Sequence, residues 1–218
     1  MPQPIVLFGS SGNASTLRTL MRRTETLEPL YDVVAYVDDY RGDAGVVLDG
    51  CPVISFPAWQ ERFTGVPGLI TLGDPGARRT IAERLHRLQI PTPAIFDARE
   101  LGMNAVGKGA FVATGLRFDP SVSFGRFAMI YPFVTMSAGT ALGDYVTLCP
   151  RATLHGPVSI GDGTFVGAAA KIIADHEPVH IGCNVRIAAG AVVRTSIPDG
   201  VTVFGDPARI IRGRHLSS

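Results

Sequence analysis

The chain has 218 residues, 46% of them hydrophobic, and a formal net charge of +1. A near-neutral balance argues against nucleic acid as the main partner, because phosphate binding normally shows as a basic excess. No run approaches the roughly 18–20 apolar residues that span a bilayer, and MPQPIVLFGSSG lacks the basic segment and apolar length of a signal peptide, so a cytoplasmic protein is expected. The first hundred residues read as α/β. Ile5–Phe8 is a short apolar run that meets Gly9-Ser10-Ser11-Gly12, and Ala14–Arg23 is helical, with Leu17, Leu20 and Met21 on one face. Val33–Val37 is a second strand ending at Asp38-Asp39, and Gly68–Leu72 a third ending at Gly73-Asp74-Pro75. A helix from Ala77 to Leu88 follows, with Ile81, Leu85 and Leu88 as its apolar stripe, and Ala94–Phe96 is expected as a fourth strand. Strands alternating with helices imply a small parallel sheet of Rossmann-like type.

The pattern then changes. Counting in sixes from Val106 gives Val112, Phe118, Phe124, Ile130, Met136, Leu142, Leu148, Leu154, Ile160, Val166 and Ile172, every one apolar. For a chosen register, chance produces this roughly once in ten thousand, so the count settles the period. A column four places later holds small or β-branched residues, from Ala110 through Val134 and Val146 to Ala170. Extra residues within Ala174–His180 break the register once, and it resumes at Ile181, Ile187 and Val193. A six-residue period fits neither an α-helix nor a hairpin ladder. It fits a three-sided prism of about 18 residues per coil, with Gly143-Asp144 and Gly161-Asp162-Gly163 at corners. Two domains are expected: an α/β unit over 1–100 and a left-handed parallel β-helix over 101–218, the α/β unit capping one end and Val203–Arg214 the other.

Hexads of this kind resemble the left-handed β-helix acyltransferases. From IVLFGSSGNA through YVDD, TLGDP and the coils to VFGDPAR, the chain is similar to the nucleotide-sugar acetyltransferases, a branch that includes sialic acid O-acetyltransferases and bacillosamine and perosamine N-acetyltransferases. The resemblance implies acetyl-CoA or another acyl-CoA as co-substrate, a nucleotide-linked amino sugar as acceptor, and a homotrimer with acyl-CoA in the grooves between copies. No metal is expected.

Three features converge at the carboxyl ends of adjacent parallel strands, the usual ligand crevice of such sheets. Gly9–Asn13 leads into a helix, where backbone N–H groups favour an anion; a plain tight turn is the other reading. Asp38-Asp39 offers carboxylates to a nucleobase or ribose, or is a solvated turn. Gly73 permits close approach of a ligand. The resemblance assigns the nucleotide-sugar site to Ser11, Gly12, Asn13, Asp38, Asp39 and Gly73, although relatives commonly carry His where Asn13 stands.

Acyl transfer needs a group to remove a proton and a donor for the developing oxyanion. By the resemblance, the base is a His followed by an acid, just before an (I/L)-G-(D/E) hexad. Leu142-Gly143-Asp144 places that pair at Ala138-Gly139, where both side chains are missing. A second family His falls at Thr147, and backbone contacts to CoA fall at Ala168 and Ala189. His155 lies one residue short of a coil beyond Ala138, and is either a surface corner histidine or a substitute base. His176 lies between Asp175 and Glu177 in a loop that is either solvated or reaches a neighbouring copy; His86 and His215 read as exposed helix and tail residues. Cys51, Cys149 and Cys183 show no CxxC or His–Cys metal spacing and read as reduced structural thiols. The leading expectation is an acyl-CoA-dependent N-acyltransferase of surface-glycan or glycoconjugate biosynthesis. The alternatives are O-acylation of a sugar and a non-catalytic nucleotide-sugar-binding homologue.

Overall fold

A computed structural model describes residues 1–42, 44–101 and 106–211. The N-terminal unit is a five-stranded sheet. β1 (Gln3–Phe8), β2 (Tyr31–Val37), β4 (Cys51–Ile54) and β5 (Gly68–Ile70) are parallel, and β3 (Val47–Leu48) pairs antiparallel with β4 at the edge, in the order β3-β4-β2-β1-β5. The continuous apolar run of β1 follows from burial on both faces. Ile5 and Leu7 pack with Leu17 and Met21 of α1 (Gly12–Arg23). Val6 and Phe8 pack with Trp59 of α2 (Phe56–Arg62) and with Ala82 and Leu85 of α3 (Pro75–Arg87).

Several expectations change. β3, β4 and α2 were not expected. Asp49-Gly50 turns the short hairpin, a usual turn pair. Ser55 caps α2 by accepting from the Ala58 N–H, and Pro57 stands in its first turn. The inward face of α3 is Arg78, Ala82 and Leu85, whereas Leu88 is its exposed C-cap. The expected fourth strand is absent from this sheet. Ile95 bridges to Phe111 of the first β-helix coil instead, because Pro91 and Pro93 have no N–H to give a sheet ladder. The short helix α4 (Ala98–Leu101) then sends Leu101 into the second core.

That second core belongs to a three-sided parallel β-helix. One face stacks Phe111–Val112, Met129–Ile130, Thr147–Leu148, Phe165–Val166, Arg186–Ile187 and Thr202–Phe204. A second runs from Arg117–Phe118 to Val192–Val193, and the third holds Ala141–Leu142, Val158–Ile160 and Val179–Ile181. The hexad residues from Phe124 to Ile172 fill the interior, and Val106 and Phe118 pack partly buried against them. Small residues of the companion column, such as Ala128, Val146 and Ala170, are buried beside them.

Gly-Asp corners have a steric cause. A Cβ on Gly143 would lie 2.4 Å from Asp162 Oδ1, and one on Gly125 would lie 2.2 Å from the Gly143 carbonyl oxygen of the next coil. The Asp162 carboxylate in turn accepts the Asp144 N–H at 2.8 Å. The register break is also visible: hydrogen-bonded residues on neighbouring coils lie 18 apart where the Gly139 N–H donates to Ser121 Oγ but 21 apart at Ser159/His180. An antiparallel hairpin, Thr202–Phe204 with Arg209–Ile210, closes the C-terminal end. The rest of the expected cap, through Arg214, and His215 lie outside the described residues. Among the described residues, no helix is long and apolar enough to cross a membrane.

Candidate functional site

Three strand ends build a cleft. β1 runs into Gly9, whose φ of +116° and whose close approach to Thr71 Oγ1 (2.8 Å from an added Cβ) both demand glycine. Thr71, just past β5, donates its hydroxyl to the Phe8 carbonyl at 3.0 Å and ties the β5 end to the β1 end. Past β2, Asp38 Oδ2 accepts from Ser10 Oγ at 2.6 Å, while Oδ1 accepts the N–H groups of Tyr40 and Arg41. Burial would raise the Asp38 pKa, but these hydrogen bonds outweigh it and hold the carboxyl below its ordinary value. Asp38 therefore organises the loops rather than offering a free carboxylate. Asp39 accepts the Phe56 N–H through Oδ1 at 2.8 Å, and its Oδ2 lies 3.4 Å from Arg84. Phe8, Val37, Phe56, Leu72 and Ile81 line the cleft beside these carboxylates, with the fully exposed Tyr40 at its rim.

Ser11 is the N-cap of α1 without a side-chain cap bond, and Gly12 and Asn13 form its first turn. Ser11 and Gly12 are exposed, so their backbone faces solvent at the loop. Gly73 completes the group. A Cβ there would stand 3.6 Å from Asn13 Nδ2 and 3.9 Å from the Tyr131 hydroxyl, so the sheet edge meets the β-helix at this point. Tyr131 was not anticipated. Its hydroxyl donates to Asn13 Oδ1, and Asn13 Nδ2 donates to the Thr71 carbonyl. Burial pushes the Tyr131 pKa up to about 12, so the phenol keeps its proton.

Arg78 ties the α/β sheet to the β-helix. It is 1% exposed. Its guanidinium donates to the carbonyls of Leu72 (2.7 Å), Gly73 (3.1 Å), Phe127 (2.8 Å) and Tyr145 (2.7 Å), and to Thr147 Oγ1 (2.9 Å). Burial lowers its pKa to about 10, and the partners are all neutral oxygens. Thr147 is fully buried, accepts from Arg78 and donates to the Gly73 carbonyl at 3.0 Å. The expectation that Thr147 touches an acyl carrier is corrected: its hydroxyl is spent inside the domain seam.

The remaining residues divide between two edges of the prism. Tyr131, Cys149, Ala168 and Ala189 follow one another up the edge where the first face ends. Ala168 and Ala189 are exposed at turns on successive coils. Among the described residues, neither N–H has a protein partner. Ala138, Gly139 and His155 lie on the next edge. Ala138 and Gly139 are exposed, and Gly139 takes a left-handed φ of +74°, with Pro157 3.4 Å from the position of a Cβ. His155 is exposed one coil above Ser137 with no side-chain partner among the described residues. His176 is exposed, and its neighbour Asp175 pairs with Arg194 at 2.9 Å. His180 went unremarked in the sequence: its Nδ1 meets Ser159 Oγ at 2.6 Å on the third face, a contact created only by the 21-residue coil. The three cysteines are free, and among the described residues no group of three His, Cys, Asp or Glu could hold a metal.

An α/β unit set against a β-helix of hexads defines a class of acyltransferase. The acetyltransferase domain of PglB from Neisseria gonorrhoeae FA1090, solved with acetyl coenzyme A, superposes with a TM-score of 0.82 over 97% of this chain and 100% of its own, at 21% identity. A variant of perosamine N-acetyltransferase from Caulobacter crescentus, solved with CoA and GDP-perosamine, gives 0.80 over 96% and 97%, at 24% identity. These likenesses show the fold. No family model matches the chain. GDP-perosamine N-acetyltransferase of Escherichia coli O157:H7 is 38% identical over 192 residues, 81% of each chain. The chain belongs to the family of hexapeptide-repeat nucleotide-sugar acetyltransferases.

Proposed function

We propose that this protein is an acyl-CoA-dependent N-acyltransferase, most simply an acetyltransferase, acting on a nucleotide-linked amino sugar in surface-glycan or glycoconjugate biosynthesis. One observation carries the reading: Gly73, at the sheet end beside Gly9–Asn13, Asp38 and Asp39, lies against Tyr131, which stands on the β-helix edge that carries the free N–H groups of Ala168 and Ala189. The α/β unit acts as a Rossmann-like nucleotide-sugar domain. Its apolar cleft, shaped by the Asp38 loop and rimmed by the Asp39 carboxylate, suits a nucleobase and ribose, and the α1 N-terminus suits the diphosphate.

The β-helix coils in the left-handed sense of its class, and its edges meet between copies. Ala168 and Ala189 sit on one edge and His155 on another, so a groove using both requires a second chain. A homotrimer and a cytoplasmic location belong to the same proposal. In this reading the backbone N–H groups hold the acyl carrier, and the sugar amine attacks the thioester directly in a ternary complex. Positioning supplies a large share of such a rate, so an empty base position does not abolish it. A sugar hydroxyl needs a base more than an amine does, and Ala138 therefore weighs against O-acylation. His155 is the substitute base in this proposal, passing the amine's proton on to the departing thiolate.

The exposed Ala138-Gly139 corner favours a second reading, a binding protein that keeps the fold without the chemistry. Thermal shift with UDP-, dTDP- and GDP-sugars and a panel of acyl-CoAs separates the two. Stabilisation by both ligand classes supports the transferase. Stabilisation by a nucleotide sugar with none from any acyl-CoA rejects it. Unchanged turnover in His155→Ala would remove that residue from the mechanism.

A further inference from the structure

The hydrogen bonds at the domain seam have a direction, and it determines which ligand group fits there. Asn13 Nδ2 is committed to the Thr71 carbonyl. Asn13 Oδ1 receives the proton of Tyr131. The other Nδ2 N–H turns to Met129 Sδ at 3.7 Å, so the two amide protons and the phenol proton are all committed. What remains unfilled is acceptor capacity: the second lone pair of Asn13 Oδ1 and the lone pairs of the Tyr131 hydroxyl, the latter 3.9 Å from the Cβ position of Gly73. Gly73 adds no side chain, and its carbonyl is already bound to Arg78 and Thr147. Met129 fills the inner side, with its sulfur 3.2 Å from the Tyr131 hydroxyl.

The Tyr131 ring is fixed as well. It packs against the N-terminal core, and its backbone N–H is bonded to the Leu148 carbonyl one coil up at 3.0 Å. Its edge of the prism is the one that rises through Cys149 to Ala168 and Ala189. At about 4.8 Å per coil, the Ala168 level is about 10 Å above Tyr131, within reach of an extended acyl carrier.

We propose that Asn13 Oδ1 and the Tyr131 hydroxyl form an acceptor pair that holds the two N–H bonds of the sugar amine. This inference rests on the transferase reading and names the atoms that select an amine over a hydroxyl. Two acceptors match a neutral primary amine, which has two donors and one lone pair. With both N–H bonds held, the lone pair is left free to point away from the seam, toward the edge. A hydroxyl has one donor and leaves one acceptor unmatched. In the transfer, nitrogen forms a bond to the thioester carbonyl carbon, the C–S bond breaks, and the proton shed by nitrogen goes to the departing CoA thiolate. Tyr131 keeps its own proton throughout. It is a binding residue for the acceptor and takes no proton from it.

The test compares an amino sugar with its hydroxyl counterpart on the same nucleotide, starting with GDP-perosamine and the GDP-sugar in which hydroxyl replaces the amine. Calorimetric binding is measured for wild type, Tyr131→Phe and Asn13→Ala, with GDP and acetyl-CoA as controls. Wild type is expected to prefer the amine by roughly 10-fold, the worth of one hydrogen bond. Each variant is expected to reduce that preference to about 2-fold or less, with GDP and acetyl-CoA affinities within about 2-fold of wild type. A structural role alone would weaken both sugars equally and leave the preference intact. Retained preference in both variants overturns the proposal. If wild type binds no UDP-, dTDP- or GDP-amino sugar, the transferase reading itself falls, and this inference falls with it.

Discussion

The two ends of the expected reaction are unequally furnished. At the sheet edge each loop is pinned by specific bonds: Thr71 to Phe8, Ser10 to Asp38, Asp39 to Phe56, and Gly73 to Arg78 and Thr147. At the Ala138-Gly139 corner the chain presents a methyl group and a hydrogen to solvent. Such a contrast separates two demands. Binding a nucleotide sugar requires many groups in register and tolerates few losses. Acylating an amine that is already positioned requires less, because nitrogen is a competent nucleophile once neutral and its proton can leave with the thiolate.

The largest expected effect comes from uncoupling the two regions. Arg78→Met strands the carbonyls of Leu72, Gly73, Phe127 and Tyr145 in a buried seam. At about 1–3 kcal/mol for an unsatisfied buried group, with partial relaxation, a loss of about 3–5 kcal/mol is expected. Calorimetry should then resolve two melting transitions, the α/β unit before the β-helix. A single sharp transition near the wild-type temperature would show that the seam does not depend on Arg78.

Furnishing the bare corner should show what it lacks. Ala138→His, which leaves the left-handed Gly139 in place, is expected to raise kcat by roughly 10²-fold, the low end of what a positioned base contributes. No gain in kcat would mean that the amine loses its proton without help, and that chemistry is not limited at this corner. Gly9→Ala should have a smaller effect, confined to the sheet edge. Its left-handed φ and the 2.8 Å approach to Thr71 Oγ1 predict a loss of about 1–3 kcal/mol in stability and weakened nucleotide-sugar binding, with acyl-CoA binding retained. Equal weakening of both ligands would join regions that are separate here.

The smallest effect is a pH dependence. The folded Asp38 carboxyl titrates below its ordinary value of 3.8, so its contribution is complete above that pH and is lost as pH falls through the lower folded value. Asp38 should therefore stay ionised between neutrality and mildly acidic pH, and its titration should not change nucleotide-sugar affinity over that range. A titration in Asp38→Asn that matches wild type at every pH would remove the carboxylate from the account.

The β-helix was legible because its rule is local. One large apolar side chain per six residues must point inward, and the glycine before each corner Asp is required by backbone contact between coils. The site was legible in part. Gly9, Asp38 and Gly73 announce themselves by glycine and carboxylate at strand ends. Arg78 and Tyr131 do not, because an arginine on a helix and a tyrosine at a corner look solvated until the tertiary contact is known. Thr147 was assigned by alignment to a role that its burial excludes. Ile95 read as a fourth strand because apolar content was counted and the flanking prolines were not. His180 meets Ser159 only through the extra residues in one coil, which no local pattern encodes.

The central claim is that an intact acceptor site suffices for transfer without the customary histidine. The most direct measurement is mass spectrometry of a nucleotide amino sugar incubated with the wild-type protein and acetyl-CoA, alongside free-thiol release. The account predicts a sugar heavier by one acetyl group, formed with equimolar CoA thiol and saturable in both substrates. Saturable binding of both ligands with no acetylated sugar above the uncatalysed background would contradict it.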